Sequence, residues 1–584
     1  MERQDYRVQR PWSATLAQPS HSPLPLAAGT RIVEVFDRQE LARQLLILGE
    51  PGAGKTTMML ELAEDLLQRA IADKAEPIPV LVSLSSWKNP GQPIFEWLVG
   101  ELKGKYGIRQ DLAQRWLKNN QLLPLLDGLD EVTPQHQQAC AVALNTWLTG
   151  EIGQRPSGLL ICCRREEFEQ VVRRPLNLYG AIYLQALTVE QIEDYFAQFE
   201  LQDVWQTVQQ DEALQELLTR PLFLSMFGLV QTQGKFSLSV WRESTTSERK
   251  IEYLLDTYWD ATITRELIID PNEKQQDILS KTYGTKPLPT RKAVQRALVF
   301  AAKMLECQSS TELLIEKMQP TALIAQRQKW AYLLIKGLII GLIIGLIFGL
   351  IGLMFGLIGL IFGLMFGLMG GLDTIEPVDE ISISISHEGR REIVRSLRIW
   401  LIFGLIFGLS LELSFGLMGG SSFGLIGLIV LIEGLIIGLI IGLIKGLIKG
   451  LKADIQTRID PNQGMKNSVK NMVVVSAIAL MMALSFKFLL EYLLASVVGS
   501  NELFFMVEIA LVMLIWSSFY QAGGNALSKH LALRLVLAWN GYAPLRYDLL
   551  LNYCTERLLL QRIGGRYRFL HKLLQDHFAK MDLG

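Results

Sequence analysis

The sequence predicts an α/β domain built on a parallel sheet and extended by helical subdomains. An α-helical polytopic membrane region and a small C-terminal unit follow it. Three observations point to this succession. Short strand-like apolar runs alternate with helical patterns between residues 30 and 200. Hydrophobic residues make up 49% of the chain and are concentrated in long runs between residues 331 and 523. Beyond 523 the pattern turns mixed, basic and helical again. The 584 residues therefore divide into a lead-in (1–29), an α/β core (30–200), helical subdomains (201–330), a membrane region (331–523) and a terminal unit (524–584).

The lead-in opens MERQDYRVQRPW, with early acids and no apolar core, so no signal peptide is expected. The next stretch, SATLAQPSHSPLPLAAG, is rich in Pro, Ser and Ala and reads as a disordered connection. A net charge of −1, without a Lys/Arg stripe interleaved with aromatics, argues against nucleic acid as a partner. Cys140, Cys162, Cys163, Cys307 and Cys554 form neither a CxxC pair nor a Cys/His cluster at metal spacing, a usage suited to a reducing compartment.

The most specific pattern is QLLILGEPGAGKTTMMLELAEDLL. An apolar strand, Gln44–Leu48, runs into Gly49, Glu50, Pro51, Gly52, Ala53, Gly54, Lys55, Thr56 and Thr57, and an amphipathic helix pattern follows. This is the G-x-x-x-x-G-K-[ST] phosphate loop in its strand–loop–helix setting. Its glycines allow close backbone approach, so successive N–H groups surround phosphate oxygens at the positive end of a helix. Lys55 is expected on the β/γ-phosphates and Thr56 on Mg²⁺.

LLPLLDGLDEV supplies the second motif. Asp127 ends an apolar run, where a parallel strand meets the nucleotide, and is the expected Mg²⁺ partner. Asp130 or Glu131 then orients or deprotonates a water; a solvated acidic turn is the alternative. Ile78–Leu84 and Leu159–Cys163 complete the strand-like runs. Arg164 follows the last of them, either as a γ-phosphate sensor or as half of a surface basic pair with Arg165.

LLILGEPGAGKTT, PVLVSLSSW, LLPLLDGLDEV and LLICCRREEF resemble the NACHT NTPases of the STAND class of signalling ATPases, in their order and spacing. The resemblance continues through LTVEQIEDYF, LLTRPLFLSM and ELLIEKMQP. It covers roughly residues 30–330, and Asp-Gly-x-Asp-Glu is its most specific part. It implies a P-loop NTPase working as a slow switch on ATP, with GTP not distinguished, together with Mg²⁺: closed with ADP, oligomeric with ATP. It also implies that Pro221 of LLTRPL lies near the base, unless that proline only breaks a helix.

The terminal segment LRLVLAWNGYAPLRYDLLLNYCTERLLLQRIGGRYRFLHKLLQDHFAKM looks like the small winged-helix-like unit that ends many bacterial NACHT chains. Phe569, His571, His577, Phe578 and Ala579 match the family pattern F-x-H-x-x-x-x-x-[YH]-F-A. The resemblance implies that His571 contacts the ADP β-phosphate; a histidine at the surface or core edge is the alternative.

Gly337–Leu372, at about 1.5 Å per residue, would make one helix of about 54 Å against a bilayer core of about 30 Å, so two spans joined by a tight turn fit better. Within it glycine recurs from Gly337 to Gly370 at spacings of 4, 4, 4, 3, 4, 3, 4, 4 and 3, a single stripe suited to close helix packing. Ile399–Lys445, interrupted at 419–422, reads as a second hairpin, and Met472–Val498 with Leu503–Gln521 as a third. Basic residues lie before, between and after these pairs and are missing from the outer turns, which predicts about six spans in an inner membrane with both termini cytoplasmic.

EISISIS at 380–386 alternates like a strand and is paired in this reading with 453–459. Glu412, Glu433, Glu491 and Glu508 fall inside apolar runs, where an ion path or a protonated, interfacial carboxyl would explain them. The resulting expectation is a membrane-embedded nucleotide switch in bacterial defence or stress signalling, a homo-oligomer when active, with the helices as output. An ATP-driven transporter is the alternative, although no LSGGQ signature lies between the two phosphate motifs; helices that merely anchor a soluble switch are another.

Overall fold

The computed structural model describes residues 14–18, 21–27, 29–150, 155–171, 176–265, 280–308, 310–323, 325–349, 353–369, 371–372, 375, 394–399, 401–402, 405–406, 442, 461–494 and 519–583. They fall into two compact units. The first comprises Met1–Leu313, Leu549–Ile563 and Tyr567–Gly584; the second comprises Leu314–Asp548 and Gly564–Arg566.

The first unit is built on a seven-stranded sheet of order β2-β1-β7-β3-β6-β5-β4. Its strands are β1 (Ala14–Gln18), β2 (His21–Pro25), β3 (Gln44–Gly49), β4 (Ile78–Ser83), β5 (Leu122–Asp127), β6 (Leu159–Arg164) and β7 (Gly180–Leu184). β7, β3, β6, β5 and β4 run parallel, as crossover helices require. Parallel strands are covered on both faces and so read as continuous apolar runs. In β3, Leu46 and Leu48 enter one core while Leu45 and Ile47 enter the other. The predicted strands at 44–48, 78–84 and 159–163 are all present.

The lead-in departs from expectation. Residues 14–18 and 21–25 form β1 and β2, with β1 antiparallel to β7 and to β2. Pro23 and Pro25 suggested a disordered segment, yet β2 is an edge strand, where proline's missing N–H leaves no ladder bond unmade.

Helix α1 (Lys55–Ala72) leaves the phosphate loop, and α2 (Pro134–Leu148) follows β5. The helical subdomain contains α3 (Pro221–Thr232), α4 (Ser247–Thr264) and α5 (Arg291–Cys307). The second unit begins at Leu314, earlier than the expected boundary after residue 330. In it α6 (Gln326–Gly349) and α7 (Leu353–Met369) form an antiparallel pair. The expected close glycine packing is present: a methyl group added at Gly345 would lie 3.0 Å from the Gly356 carbonyl oxygen, and one at Gly341 would lie 2.8 Å from that of Leu360.

Further along are α8 (Gln463–Leu494) and α9 (Asn525–Trp539). The main chain N–H of Gly464 donates to the buried carboxylate of Glu316 at 2.6 Å. Among the described residues one helix, Gln326–Leu346, is long and apolar enough to cross a membrane, with a mean hydropathy of 1.8.

The expected terminal unit is divided at Asp548. Helix α9 clusters with α6 in the second unit, while most of α10 (Tyr547–Glu556) belongs to the first. The hairpin of β8 (Leu560–Ile563) and β9 (Arg566–Phe569) precedes α11 (Lys572–Lys580). The turns expected at 419–422 and 499–502, the strand-like segments 380–386 and 453–459, and Glu412, Glu433 and Glu508 lie outside the described residues; Glu491 lies on α8.

Candidate functional site

The site is assembled at the C-terminal ends of β3, β6 and β5. Gly49 pairs with Arg164 in the β3–β6 register, which places the arginine level with the start of the phosphate loop. Asp127 closes β5 on the other side of β6. Gly52 and Gly54 have φ of 83° and 94°, a region that side chains with a Cβ rarely occupy, so the loop demands glycine there. Gly54 caps α1, and the helix N-terminus opens into the loop.

Lys55 Nζ donates to the carbonyl oxygens of Gly49 at 2.7 Å and Glu50 at 3.0 Å, so the loop holds its lysine across its own mouth. Thr56 Oγ1 donates to Asp127 Oδ2 at 3.0 Å. A hydroxyl and a carboxylate in that arrangement are the hard oxygen donors Mg²⁺ takes, with water completing its shell. These two residues therefore fit a magnesium ion. Thr57, next along, is exposed.

The two remaining acids of the motif have different surroundings. Asp130 receives Arg164 Nε at 2.9 Å and the Arg164 main chain N–H at 3.1 Å. Burial raises the Asp130 pKa, partly offset by Arg164 and Lys55. Glu131 folds back over Gly128, whose φ of 77° leaves no room for a Cβ: one built there would sit 2.9 Å from the Glu131 carboxyl carbon. Its pKa is pushed up to about 8, first by burial and then by the charges of Asp127 and Asp130, with Lys572 and Arg164 opposing.

Arg164 also reaches Glu167 at 3.2 Å, while the exposed Arg165 pairs separately with Glu169 at 2.9 Å. Arg164 therefore belongs to the site and is no partner of Arg165 in a surface pair. Burial alone would lower its pKa, but Asp130 and Glu167 outweigh that and raise it.

Pro221 is buried at the first turn of α3, and the Leu222 N–H donates to the Gly52 carbonyl oxygen at 3.2 Å. The helix start thus abuts the phosphate loop, while the proline's missing N–H costs nothing at that position. His571 is the N-cap of α11, its Nδ1 accepting the Leu573 N–H at 3.1 Å. Burial, followed by the charges of Lys55, Arg164 and Arg568, pulls its pKa down to about 3, so the ring is neutral in the folded chain. His577 has a different place, with Nε2 2.9 Å from Asp256 Oδ1 on α4.

Two participants escaped the sequence reading. Lys572 acts electrostatically on Glu131 while pairing with Asp576 at 2.8 Å. Gln137 donates to the carbonyl oxygens of Asp130 at 2.8 Å and Val132 at 3.0 Å, holding the acidic turn in shape. Lys572 adjoins His571 in sequence, a signal that was there to be used; nothing local singles out Gln137.

A phosphate loop after the central strand of a parallel sheet, with a threonine and a strand-end aspartate in contact beneath it, defines a P-loop NTPase domain. Residues 43–203 match the family model described as NACHT domain, and this segment is a NACHT domain. Among solved structures, the crystal structure of Cdc6p from Pyrobaculum aerophilum is similar at 14% identity, over 46% of this chain and 70% of that one, with a TM-score of 0.23. No curated protein matches.

Proposed function

We propose that this chain is a membrane-embedded nucleotide switch whose NACHT domain binds and slowly hydrolyses ATP, with Mg²⁺ held by Thr56 and Asp127. The observation that supports this best is the contact of Thr56 with Asp127 beneath a loop spanned by Lys55, with buried C-terminal His571 feeling the charges of Lys55 and Arg164. A neutral imidazole placed there suits a diphosphate, and withdrawing it would open the site. In this reading Pro221 and the start of α3, which abut the phosphate loop, receive the base, and Arg164 senses the γ-phosphate.

Asp130 is committed to Arg164 in this reading, which leaves Glu131, in its ionised form above its raised pKa, to take a proton from the attacking water. Mg²⁺ held by Thr56 and Asp127 would offset negative charge developing on the phosphate oxygens. Water adds to the γ-phosphorus, the bond to the β-phosphate oxygen breaks, and ADP and phosphate leave. The terminal elements act as a winged-helix-like clamp, residues 331–523 as about six spans of an inner membrane with both flanks cytoplasmic, and ATP binding as the trigger for self-assembly in bacterial defence or stress signalling.

The test is ATP-dependent leakage of dye-loaded vesicles by the purified full chain. Wild type and Glu131→Gln should bind ATP and leak, the variant for longer, whereas Lys55→Ala should bind ATP at least tenfold more weakly and not leak. Unchanged ATP affinity in Lys55→Ala would remove the site assignment. Binding without leakage would leave the helices as an anchor.

A further inference from the structure

The second unit carries two exposed tryptophans on helices that touch. Trp330, in the first turns of α6, is 63% exposed, and Trp539, the last residue of α9, is 83% exposed. The segments that carry them are tied by Gln328, whose Nε2 donates to Tyr542 Oη at 3.1 Å and to Asn540 Oδ1 at 3.4 Å. Exposed Leu531 and Leu545 extend the apolar area on the α9 side, and Leu334 and Leu338 continue it one and two turns further along α6.

Length decides where a bilayer surface would cut α6. From Trp330 to Gly349 the helix rises about 29 Å at about 1.5 Å per residue, matching a hydrocarbon core of about 30 Å. Counting from Lys336 leaves only about 20 Å, too short. Lys336 would thus lie about 9 Å inside the boundary, and its surroundings suit that depth. It is 1% exposed, its Nζ donates to the Gly371 carbonyl oxygen at 2.8 Å just beyond α7, and it lies 5.6 Å from the centre of the Tyr332 ring.

Charge agrees with the level set by length. No acid occurs from Gln326 to Leu372 or from Phe519 to Tyr547, while Arg327, Lys329, Lys529, Arg534 and Arg546 flank the tryptophans in sequence. Indole rings favour the headgroup layer, and clustered basic residues favour an anionic one.

We propose that Trp330 and Trp539, with Arg327, Lys329 and Arg546, form the seat of this chain on an anionic phospholipid headgroup layer, with α9 lying at the boundary. This rests on the membrane reading given above. The experiment uses the full chain reconstituted in phosphatidylcholine vesicles with and without phosphatidylglycerol. Spin labels are placed one at a time at Trp330→Cys, Trp539→Cys, Leu338→Cys and Val189→Cys in a Cys307→Ser background, since the other four cysteines are buried.

Relative access to oxygen and to a water-soluble nickel chelate reports depth. Labels at 330 and 539 should share a headgroup-level depth, that at 338 should lie among acyl chains, and that at 189 should be aqueous. Neutralising Arg327, Lys329 and Arg546 with Gln should move the label at 539 towards water in phosphatidylglycerol vesicles. An aqueous label at 539 with a lipid-exposed label at 338 would overturn the seat alone. An aqueous label at 338 would overturn the membrane reading and the seat with it.

Discussion

At the scale of single residues, the acidic turn after β5 separates two carboxylates by their neighbours. Glu131 stays protonated up to about pH 8 in the folded chain, against an ordinary value of 4.5. Between those values the native state binds more protons than the unfolded chain, so stability falls as pH rises through the window. Glu131→Gln, neutral throughout, should therefore be more stable than wild type at pH 8.5, by a few kcal/mol at about 1.4 kcal/mol per unit, and nearly equal to it at pH 4. Thermal unfolding of both proteins across that range measures this, and parallel curves would refute it. Lys572→Gln removes a charge that favours the ionised carboxylate, so the fall in stability should continue to higher pH and ATP hydrolysis should need more alkaline conditions; Lys572→Arg should reverse both.

His571 titrates in the opposite sense. Its folded value near 3 lies below the ordinary 6.5, so the native state binds fewer protons in between and stability is lost as pH falls from 6.5. Acidification from pH 7.5 to 5.5 should accordingly lower the protection factors of the amides across Lys572–Lys580, once the intrinsic pH dependence of exchange is divided out. His571→Asn, which keeps an N-cap acceptor without a titrating ring, should flatten that response. The phosphate loop and Asp127 were legible in sequence because their chemistry is local: one strand, one turn, one helix. The separation of Asp130 from Glu131 was not, because it depends on Arg164 across the sheet and on Lys572 from the far end of the chain.

At the scale of elements, β3, β5 and β6 were legible because burial on both faces leaves unbroken apolar runs. The edge strands β1 and β2 were hidden, since an edge tolerates the prolines that argue against strand in a sheet interior. The α6–α7 pair was legible from the length of its apolar stretch and its close packing from the glycine phase, and that packing makes the phase testable. Gly345 faces the backbone of Gly356, whereas Leu342 on the same helix is exposed. Gly345→Leu should overpack the pair and destabilise it by about 1–3 kcal/mol, read as a lower melting temperature in detergent. Leu342→Ala should leave it nearly unchanged, and equal effects from the two would refute close packing.

At the scale of the whole molecule, the chain leaves the first unit after Leu313 and rejoins it at Leu549. Everything proposed to enter the membrane is thus an insertion within the sequence of one compact unit. The proposed membrane reading, with both ends of that insertion on one face of the bilayer, requires an even number of crossings, whatever the count. Basic residues at 390–398 and 445–470 agree with that requirement, because in sequence they fall between the proposed hairpins, where it expects a cytoplasmic face. In sealed, right-side-out spheroplasts carrying the Cys307→Ser chain, cysteines introduced at Ser386 and Asn467 should resist a membrane-impermeant maleimide until the cells are opened. Cysteines introduced at Ser421 and Ser500, in the two outer turns, should react at once. Labelling of position 386 or 467 from outside would reverse one hairpin, leave an odd crossing on its flank, and break the requirement that both ends of the insertion return to the same body.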